Sequence, residues 1–356
     1  MVECCSISHC LSVGQAKRFE LSTPVSNWTE VYDATRFRDA CPQYGKKLHA
    51  KLTGNETETP SMSEDCLFLN VWQPKKSKDK RPVMVWIYGG AYQFGTIFRN
   101  MYNCDVISKL GDTIVVSLNY RLNLFGFMYA GESEQVPGNM GLHDQILGLK
   151  WIQDNIHHFG GDPKQVTIFG ESAGSFSVGS LVLSPLAKGL FHRAIMQSGS
   201  PTSFYAFSDK KTAVESAKKA ANLMNCSTSN TKEMIDCLKN KPVDEMVTKL
   251  NQRQELKGLY FLPVYGDTLM PVRPVEALKS GKFNKVDILF GTTKDEGSDF
   301  VVSFASILSP KNTHPNLTLS KTKDFIREFV SSEPEIDKIV EFYTKNLNES
   351  NIDGMR

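Results

Sequence analysis

Short apolar runs alternate along the chain with longer stretches in which apolar residues recur every third or fourth position. Short apolar runs predict buried strands at residues 83–88, 113–118 and 166–169, the last partly β-branched, and further strands at residues 194–197 and 286–290. The longer stretches predict helices at residues 141–158, 175–183, 210–225, 232–239, 321–330 and 336–347. Strands that alternate with helices favour an α/β fold, with a mostly parallel central sheet and helices on both faces.

The amino-terminal part of the chain has a different character. Residues 27–40 are polar and predict loop with short strands, and residues 40–60, rich in Lys, Gly, Asn, Glu and Thr, predict a surface loop. Residues 1–12 contain Cys4, Cys5, His9 and Cys10, whose spacing is not a recognised metal-ligand pattern. We therefore expect residues 1–12 to be a divergent segment without a site. No linker interrupts residues 13–356, which predicts one domain.

Composition narrows the class of partner. Hydrophobic residues make up 40% of the chain and charged residues 22%, which is ordinary for a globular protein. The formal net charge of +2 gives no reason to expect nucleic acid or an acidic membrane surface as a partner. No apolar run approaches the ~20 residues of a membrane span. The sequence indicates neither a cofactor nor a metal site.

One turn carries a specific chemical signal. Gly170-Glu171-Ser172-Ala173-Gly174 follows the predicted strand at residues 166–169 directly and precedes a predicted helix. A serine in a Gly-x-Ser-x-Gly turn between strand and helix projects its hydroxyl above the sheet edge. Ala173 begins the helix, so its N–H points toward the same place. Although the pattern also occurs by chance, this context favours Ser172 as a nucleophile.

A glycine-rich turn after another predicted strand offers hydrogen-bond donors. Tyr88-Gly89-Gly90-Ala91 follows the run VMVWI and precedes Ser172 in the chain. Small residues allow the N–H groups of Gly90 and Ala91 to converge on one oxygen, together with the N–H of Ala173. An ordinary glycine turn is the alternative interpretation. The position after a buried strand favours an oxyanion hole.

Longer motifs identify a family. The segments FGGDPKQVTIFGESAG and EDCLFLNVWQP resemble the two signatures of the type-B carboxylesterase and cholinesterase family. The segments PVMVWIYGGAYQFG, PGNMGLHDQILGLKWIQDNI, FHRAIMQSGSP and GTTKDEGSDF also resemble that family, in the same order. The resemblance runs from about residue 13 to about residue 300. It implies an α/β-hydrolase fold and hydrolysis of carboxylic esters, with a small-molecule ester as partner.

The resemblance also implies roles for individual residues. Ser172 matches the nucleophile, and Gly90, Ala91 and Ala173 match the oxyanion donors, although the family more often has glycine at the position of Ala91. Glu296, in Lys-Asp-Glu-Gly after the last predicted strand, matches the triad acid. Without the resemblance it would be a solvated turn carboxylate. Glu171, beside the nucleophile, matches an acidic residue to which we assign a supporting electrostatic role.

Cysteines and sequons bear on the compartment. The resemblance implies the disulfides Cys41–Cys66 and Cys226–Cys237, each stabilising the fold by about 3 kcal/mol. Bridged cysteines imply an oxidising compartment, and five Asn-x-Ser/Thr sequons agree with it: Asn27, Asn55, Asn225, Asn316 and Asn348. We therefore expect a secreted or extracellular protein, although the first residues lack the apolar segment of a signal peptide.

The catalytic base is the triad component for which the sequence offers no matching residue. Hydrolases of this fold carry serine, acid and histidine in that chain order. Of seven histidines only His314 follows Glu296, in a polar loop with no strand in between. Family members usually continue well past Arg356. We therefore expect an incomplete domain over residues 13–356, without the triad histidine and the last strand: a fragment, a truncated isoform or an impaired product.

Substrate class and catalytic competence stay open between several alternatives. No tryptophan lies between Cys41 and Cys66, where cholinesterases place the ring that binds a quaternary ammonium; Glu56 falls near its position. The acyl-pocket region has KGLY at residues 257–260. A broad carboxylesterase is therefore favoured over a cholinesterase.

Two further alternatives concern catalytic competence: a non-catalytic adhesion homologue, and a protein that is acylated once and turns over poorly. The sequence does not predict an oligomeric state.

Overall fold

A computed structural model describes most of the chain, at residues 6–26, 29–43, 61–74, 80–131, 136–203, 206–251, 261–296, 318–329 and 335–347. The chain divides into two compact units, Met1–Thr292 and Thr293–Arg356, where the sequence predicted one domain from residue 13. Among the described residues, the first unit holds the sheet and the second holds two helices. The division into a divergent segment at residues 1–12 and one incomplete domain at residues 13–356 stays a prediction.

Strands and helices alternate through most of the first unit. The strands in the described residues are β1 (Ser6–Ser12), β2 (Gly14–Gln15), β3 (Thr23–Pro24), β4 (Phe68–Pro74), β5 (Arg81–Ile87), β6 (Ile114–Leu118), β7 (Tyr129–Gly131), β8 (Val136–Pro137), β9 (Gly161–Glu171), β10 (Arg193–Gln197) and β11 (Asp287–Gly291). The α-helices are α1 (Asp105–Gly111), α2 (Asn123–Phe127), α3 (Met140–Asn155), α4 (Ala173–Leu183), α5 (Lys210–Leu223), α6 (Thr231–Lys239), α7 (Val243–Asn251), α8 (Pro274–Lys279), α9 (Leu319–Phe329) and α10 (Ile336–Thr344). Short 3₁₀ turns follow α3 and α4.

Seven strands form the central sheet in the order β1-β4-β6-β5-β9-β10-β11. The strand β4 pairs antiparallel with β1 and β6, whereas β5, β6, β9, β10 and β11 run parallel. This arrangement confirms the predicted α/β class. Parallel strands bring their carboxyl ends to one edge of the sheet, and β5 and β9 end there beside each other, with Ile87 opposite Gly170.

Both faces of the sheet are buried at central strands such as β6, whereas all residues of the edge strand β11 are exposed. Side chains of consecutive strand residues point to opposite faces. Val116 lies in the main hydrophobic cluster, while its neighbour Val115 lies in a second cluster with Trp72 and Cys104. The apolar face of α3, predicted at spacings of three and four, is buried in the main cluster through Leu142, Ile146, Leu149 and Ile152. Adjacent residues such as Val115 and Val116 are therefore both buried, each on its own face of the sheet. This is why the central strands appear in the sequence as continuous apolar runs.

Several predictions from the sequence need correction. Ser6–Ser12, for which no strand was predicted, forms strand β1 and pairs with β4 along its whole length, from Ser6 opposite Pro74 to Ser12 opposite Phe68. Residues 29–40 contain no strand, only a bridge at Ala40, so the short strands predicted there are wrong. Asp33 accepts hydrogen bonds from the N–H and hydroxyl of Thr35, which favours turns over extended pairing.

The two implied disulfides are both present. Cys41 and Cys66 are bonded, and so are Cys226 and Cys237, with sequence separations of 25 and 11. The first bridge is buried within the main cluster. Among the described residues Cys10 and Cys104 are free and buried. The bridges tie loop segments to the body of the first unit.

Helix α4 approaches the end of β5 very closely. A methyl group on Gly174, in the first turn of α4, would overlap the carbonyl oxygen of Ile87. A methyl group on Gly170 would lie 2.6 Å from the backbone of Gly174. Only glycines permit this approach, which brings the start of α4 against the chain segment that leaves β5.

We predict that Gly174→Ala lowers the free energy of unfolding by about 3 kcal/mol, the upper end of overpacking costs, because the clash is with backbone that cannot rotate away. The measurement is the urea midpoint of the variant against the wild type. Gly291→Ala is the matched control, since no atom lies within 4 Å of its added methyl group. Equal midpoints for Gly174→Ala and the wild type would contradict the packing described here.

We predict that non-reducing peptide mapping recovers the Cys41–Cys66 and Cys226–Cys237 peptides as linked pairs. Removing the first bridge by Cys66→Ser should cost about 3 kcal/mol, because the unfolded chain regains the freedom of a closed loop. Cys104→Ser should leave both linked pairs intact. Recovery of a free thiol at Cys66 in the oxidised wild type would refute the first bridge.

Candidate active site

Ser172 occupies a strained turn between β9 and α4. Its backbone angles are φ 55° and ψ −122°, a conformation that costs a non-glycine residue on the order of 1–3 kcal/mol. The turn is held on both sides. The Ser172 N–H donates to the carbonyl of Gln197 at the end of β10 (3.0 Å), and the Ser172 carbonyl accepts from Phe176 in α4 (2.9 Å). This is the geometry that the sequence predicted for the Gly-x-Ser-x-Gly turn.

The loop after β5 lies directly against this serine. A methyl group on Gly89 would be 3.1 Å from the Ser172 Cβ and 3.0 Å from a carboxylate oxygen of Glu171. The loop then turns sharply, because the Gly90 carbonyl accepts hydrogen bonds from the N–H groups of Gln93 (2.9 Å) and Phe94 (3.2 Å). The structure therefore brings together the two turns that were singled out separately in the sequence.

Two non-glycine residues in this loop have left-handed backbone angles. Ala91 has φ 55° and the adjacent Tyr92 has φ 58°. Ala91 is exposed and Tyr92 is buried, with its ring 4.7 Å from that of Phe127. The Tyr92 carbonyl accepts a 2.6 Å hydrogen bond from the N–H of Asn123. Packing of Tyr92 thus holds a conformation that Ala91 and Tyr92 would not adopt by preference.

Three backbone donors beside Ser172 have no acceptor in the described part of the chain. They are the N–H groups of Gly90, Ala91 and Ala173. Ala173 is the first residue of α4, and the first N–H groups of a helix have no partner within the helix. The positive end of the α4 dipole lies at the same place. The arrangement can stabilise negative charge on an oxygen bound next to the serine.

A pair of buried tyrosines anchors the start of the loop. The Tyr120 hydroxyl donates to the Tyr88 carbonyl (2.7 Å), the Tyr88 hydroxyl donates to the Tyr120 carbonyl (3.2 Å), and the two rings stack 4.5 Å apart. Burial raises the pKa of both phenols well above the ordinary value. Both side chains therefore stay neutral, and their hydrogen bonds persist across the physiological pH range.

Other polar residues anchor the far end of the loop. The Gln43 side chain accepts from the Gly95 N–H and donates to the Gly95 carbonyl, both at 2.9 Å, and it also donates to the carbonyl of Cys41 at 3.0 Å. The Asn123 side chain donates to the Pro42 carbonyl (2.9 Å). The Cys41–Cys66 bridge is thus linked to the loop that carries Gly90 and Ala91.

Sequence reasoning missed these anchors, the residues Gln43, Tyr88, Tyr120 and Asn123. A usable signal was present for two of them, because Tyr120 and Asn123 are among the hydrogen-bonding residues interspersed with apolar ones in SLNYRLNLFGF. Buried polar groups need partners, so such residues point to fixed loops nearby. Gln43 has no comparable signal, since it lies in an ordinary polar segment.

Glu171 directly precedes Ser172 in the turn. Its side chain is exposed, and its carboxylate lies near the Gly89 backbone. Burial is the main cause of the raised pKa values of Tyr102 and Tyr120, and the charge of Glu171 adds to both. The supporting electrostatic role assigned to Glu171 stays a prediction.

Glu296 belongs to the second unit. It lies in a turn after the last strand of the sheet and accepts a 2.7 Å hydrogen bond from the N–H of Thr293. Its assignment as the triad acid stays a prediction. His314, Glu56 and residues 257–260 lie outside the described residues.

Of the five sequons, only Asn225 lies among the described residues. It is exposed, with φ 56°, directly before the bonded Cys226. An exposed side chain is what a glycan acceptor requires. The other four sequons lie outside the described residues: Asn27, Asn55, Asn316 and Asn348.

In the described parts of the chain, no group of three or more His, Cys, Asp or Glu side chains is arranged to hold a metal ion. None of the helices found there is long and apolar enough to cross a membrane.

Comparisons with known proteins agree with this geometry. A model of the carboxylesterase family matches residues 12–355. Acetylcholinesterase of Danio rerio is 38% identical over 346 residues, covering 94% of this chain and 54% of that protein. Acetylcholinesterase of Electrophorus electricus is 38% identical over 345 residues, with 94% and 54% covered. Acetylcholinesterase of Bungarus fasciatus is 38% identical over 330 residues, with 90% and 53% covered.

These matches fix the family but not the extent of the whole protein. The chain spans about half the length of the curated relatives it matches. The α/β-hydrolase fold implied by the sequence motifs is confirmed by the family match together with the mostly parallel sheet. Since the match covers nearly all of the sequence, the chain belongs to the carboxylesterase family.

Proposed function

We propose that this chain carries the acylation site of a serine hydrolase that acts on carboxylic esters. The observation that supports this most directly is the set of three unpaired N–H groups around Ser172, from Gly90, Ala91 and Ala173. A tetrahedral intermediate of ester hydrolysis has one negatively charged oxygen, and this arrangement offers three donors to it. Each donor of this kind contributes about 10²–10³ in rate in well-studied cases.

The proposed reaction proceeds through an acyl-enzyme. The Ser172 hydroxyl oxygen attacks the ester carbonyl carbon, and the carbonyl oxygen becomes an oxyanion bound by the three N–H groups. Collapse of this intermediate breaks the bond to the alkoxy group, which leaves as an alcohol after receiving the serine proton. Water then attacks the acyl-serine, releases the carboxylic acid and restores the hydroxyl. The strained turn at Ser172 keeps the attacking oxygen at one fixed position throughout.

Proton transfer needs a base, and this part of the proposal rests on the sequence. We propose Glu296 as the acid that orients a histidine, following the chain order of hydrolases of this fold. His314 is the one histidine of the chain that comes later. Because no predicted strand lies between Glu296 and His314, we propose that the base is not His314 and that this chain alone turns over poorly.

Broad carboxylesterase activity is the favoured substrate class, with acetylcholine hydrolysis as the second candidate. The three relatives named above are acetylcholinesterases, and this supports the second candidate. The sequence between Cys41 and Cys66 has no tryptophan to bind a quaternary ammonium, and this supports the first. A non-catalytic binding role is the third candidate, but an intact Ser172 turn with free donors favours chemistry.

We further propose an extracellular or secretory-pathway location. The two disulfides require an oxidising compartment to form and persist. The exposed sequon asparagine Asn225 is compatible with glycosylation in the same compartment.

We predict that a fluorophosphonate probe labels the chain slowly at Ser172, because the oxyanion donors stabilise the phosphonylation transition state even where no base activates the hydroxyl. Ser172→Ala should abolish labelling, as measured by intact mass after prolonged incubation. Ser200→Ala, an exposed serine nearby, is the matched control and should label like the wild type. Stoichiometric labelling of Ser172→Ala would show that another residue is the nucleophile.

We predict that His314→Ala leaves the slow hydrolysis of an aryl ester unchanged within about threefold. Loss of a working triad histidine lowers kcat by a factor of about 10⁶ in a well-studied serine protease. Removal of a functional base would therefore slow ester hydrolysis by far more than threefold. His158→Ala, at an exposed position, serves as the control variant. Loss of turnover in His314→Ala alone would identify His314 as the base.

A further inference from the structure

A large cavity lies far from Ser172. Its volume is about 790 Å³, and it is bounded by residues 183–192, which lead from α4 to β10, and by residues 270–286, which lead through α8 to β11. His192 directly precedes β10 and Val286 directly precedes β11, so the cavity lies at the amino ends of these strands. Ser172 follows the carboxyl end of the parallel strand β9. A five-residue strand is about 16 Å long, so the two sites lie at opposite edges of the sheet.

The floor of the cavity is apolar and firmly packed. Leu183, Phe191, Met270 and Ala277 line it and are buried. The wall is held in place by Asn284, whose side chain donates to the carbonyls of Leu181 (3.1 Å) and Ser184 (2.9 Å) and whose N–H donates to Val182 (2.8 Å). The volume is within the about 300–1,000 Å³ typical of small-molecule sites.

The rim of the cavity carries positive charge only. Lys188, Lys282 and Lys285 line it, and no aspartate or glutamate does. In the described part of the chain none of the three takes part in an ion pair. The Lys285 ammonium lies 3.6 Å from the centre of the Phe283 ring, which also lines the cavity. The three ammonium groups are thus available to an anion.

Asp287, two residues after Lys285, faces a cation outside this rim. Asp287, at the start of β11, faces Arg193 at the start of β10, and their side chains lie 3.7 Å apart. His192, which lines the cavity, accepts a hydrogen bond at Nδ1 from the Val166 N–H (3.3 Å). In the neutral ring the proton is then on Nε2, which makes His192 a donor as well.

We propose that this cavity binds an amphiphile with a single carboxylate, the anion of a medium-chain fatty acid. The alkyl chain occupies the apolar floor, and the carboxylate lies among the ammonium groups of Lys188, Lys282 and Lys285. A neutral alcohol of the same length leaves the lysines without a partner. A cationic amphiphile is repelled by them. Neither the binding nor its test depends on Ser172, so this inference stands apart from the proposed hydrolysis.

The experiment is calorimetric titration of the whole chain with laurate below its micelle concentration. Dodecanol and dodecyltrimethylammonium have the same chain length and differ in charge, so they test the contribution of the carboxylate. The test variant combines Lys188→Gln, Lys282→Gln and Lys285→Gln. The matched control combines Lys211→Gln, Lys218→Gln and Lys219→Gln, exposed positions on α5 that remove the same charge elsewhere.

We expect one laurate per chain and at least tenfold weaker binding of the other two amphiphiles. The test variant should bind laurate about tenfold more weakly, since each exposed ion contact contributes a factor of about 1.5–5, while the control variant binds like the wild type. Val272→Trp, which fills the cavity from one wall, should abolish binding. The proposal is overturned if dodecanol binds as tightly as laurate, if several laurates bind per chain, or if the lysine variant and its control bind equally.

Discussion

The close approach of α4 to the end of β5 is the constraint on which the rest of the candidate site depends. Gly174 lies against the Ile87 carbonyl with no room for a side chain. Because of this approach, the first N–H of the helix, the serine before it and the loop after β5 occupy one small volume. A helix displaced by the width of a methyl group would separate the Ala173 N–H from the N–H groups of Gly90 and Ala91.

Buried hydrogen bonds stabilise the strained backbone conformations of these turns. Ser172, Ala91 and Tyr92 all have positive φ values, and such conformations persist only where the surroundings hold them. The surroundings here are polar groups inside an apolar core. Tyr120 holds the Tyr88 carbonyl and Asn123 holds the Tyr92 carbonyl.

A buried ion pair supports the same region. The Arg121 guanidinium donates to both carboxylate oxygens of Asp144, at 2.8 and 2.7 Å, and the Arg121 N–H donates to the same carboxylate at 3.1 Å. Arg121 also donates to the Glu20 carbonyl (2.7 Å). Arg121 directly follows Tyr120, so the pair fixes the segment that anchors the loop. Breaking such a pair is costly because it leaves a charge buried without a partner.

The sequence by itself determined the fold class, the strand–turn–helix around Ser172 and the positions of most core elements. These depend on periodicity and on local turn chemistry, which are written in consecutive residues. The strand β1 was missed because its pairing with β4 joins residues about sixty positions apart, and four of its seven residues are serine or histidine. Only the tertiary structure decided that Gly89 lies against Ser172, that Gln43 anchors Gly95, and that three lysines from two separate segments line one cavity. Such contacts depend on how helices and loops pack on the sheet. The order of residues along the chain does not show which distant residues meet in space.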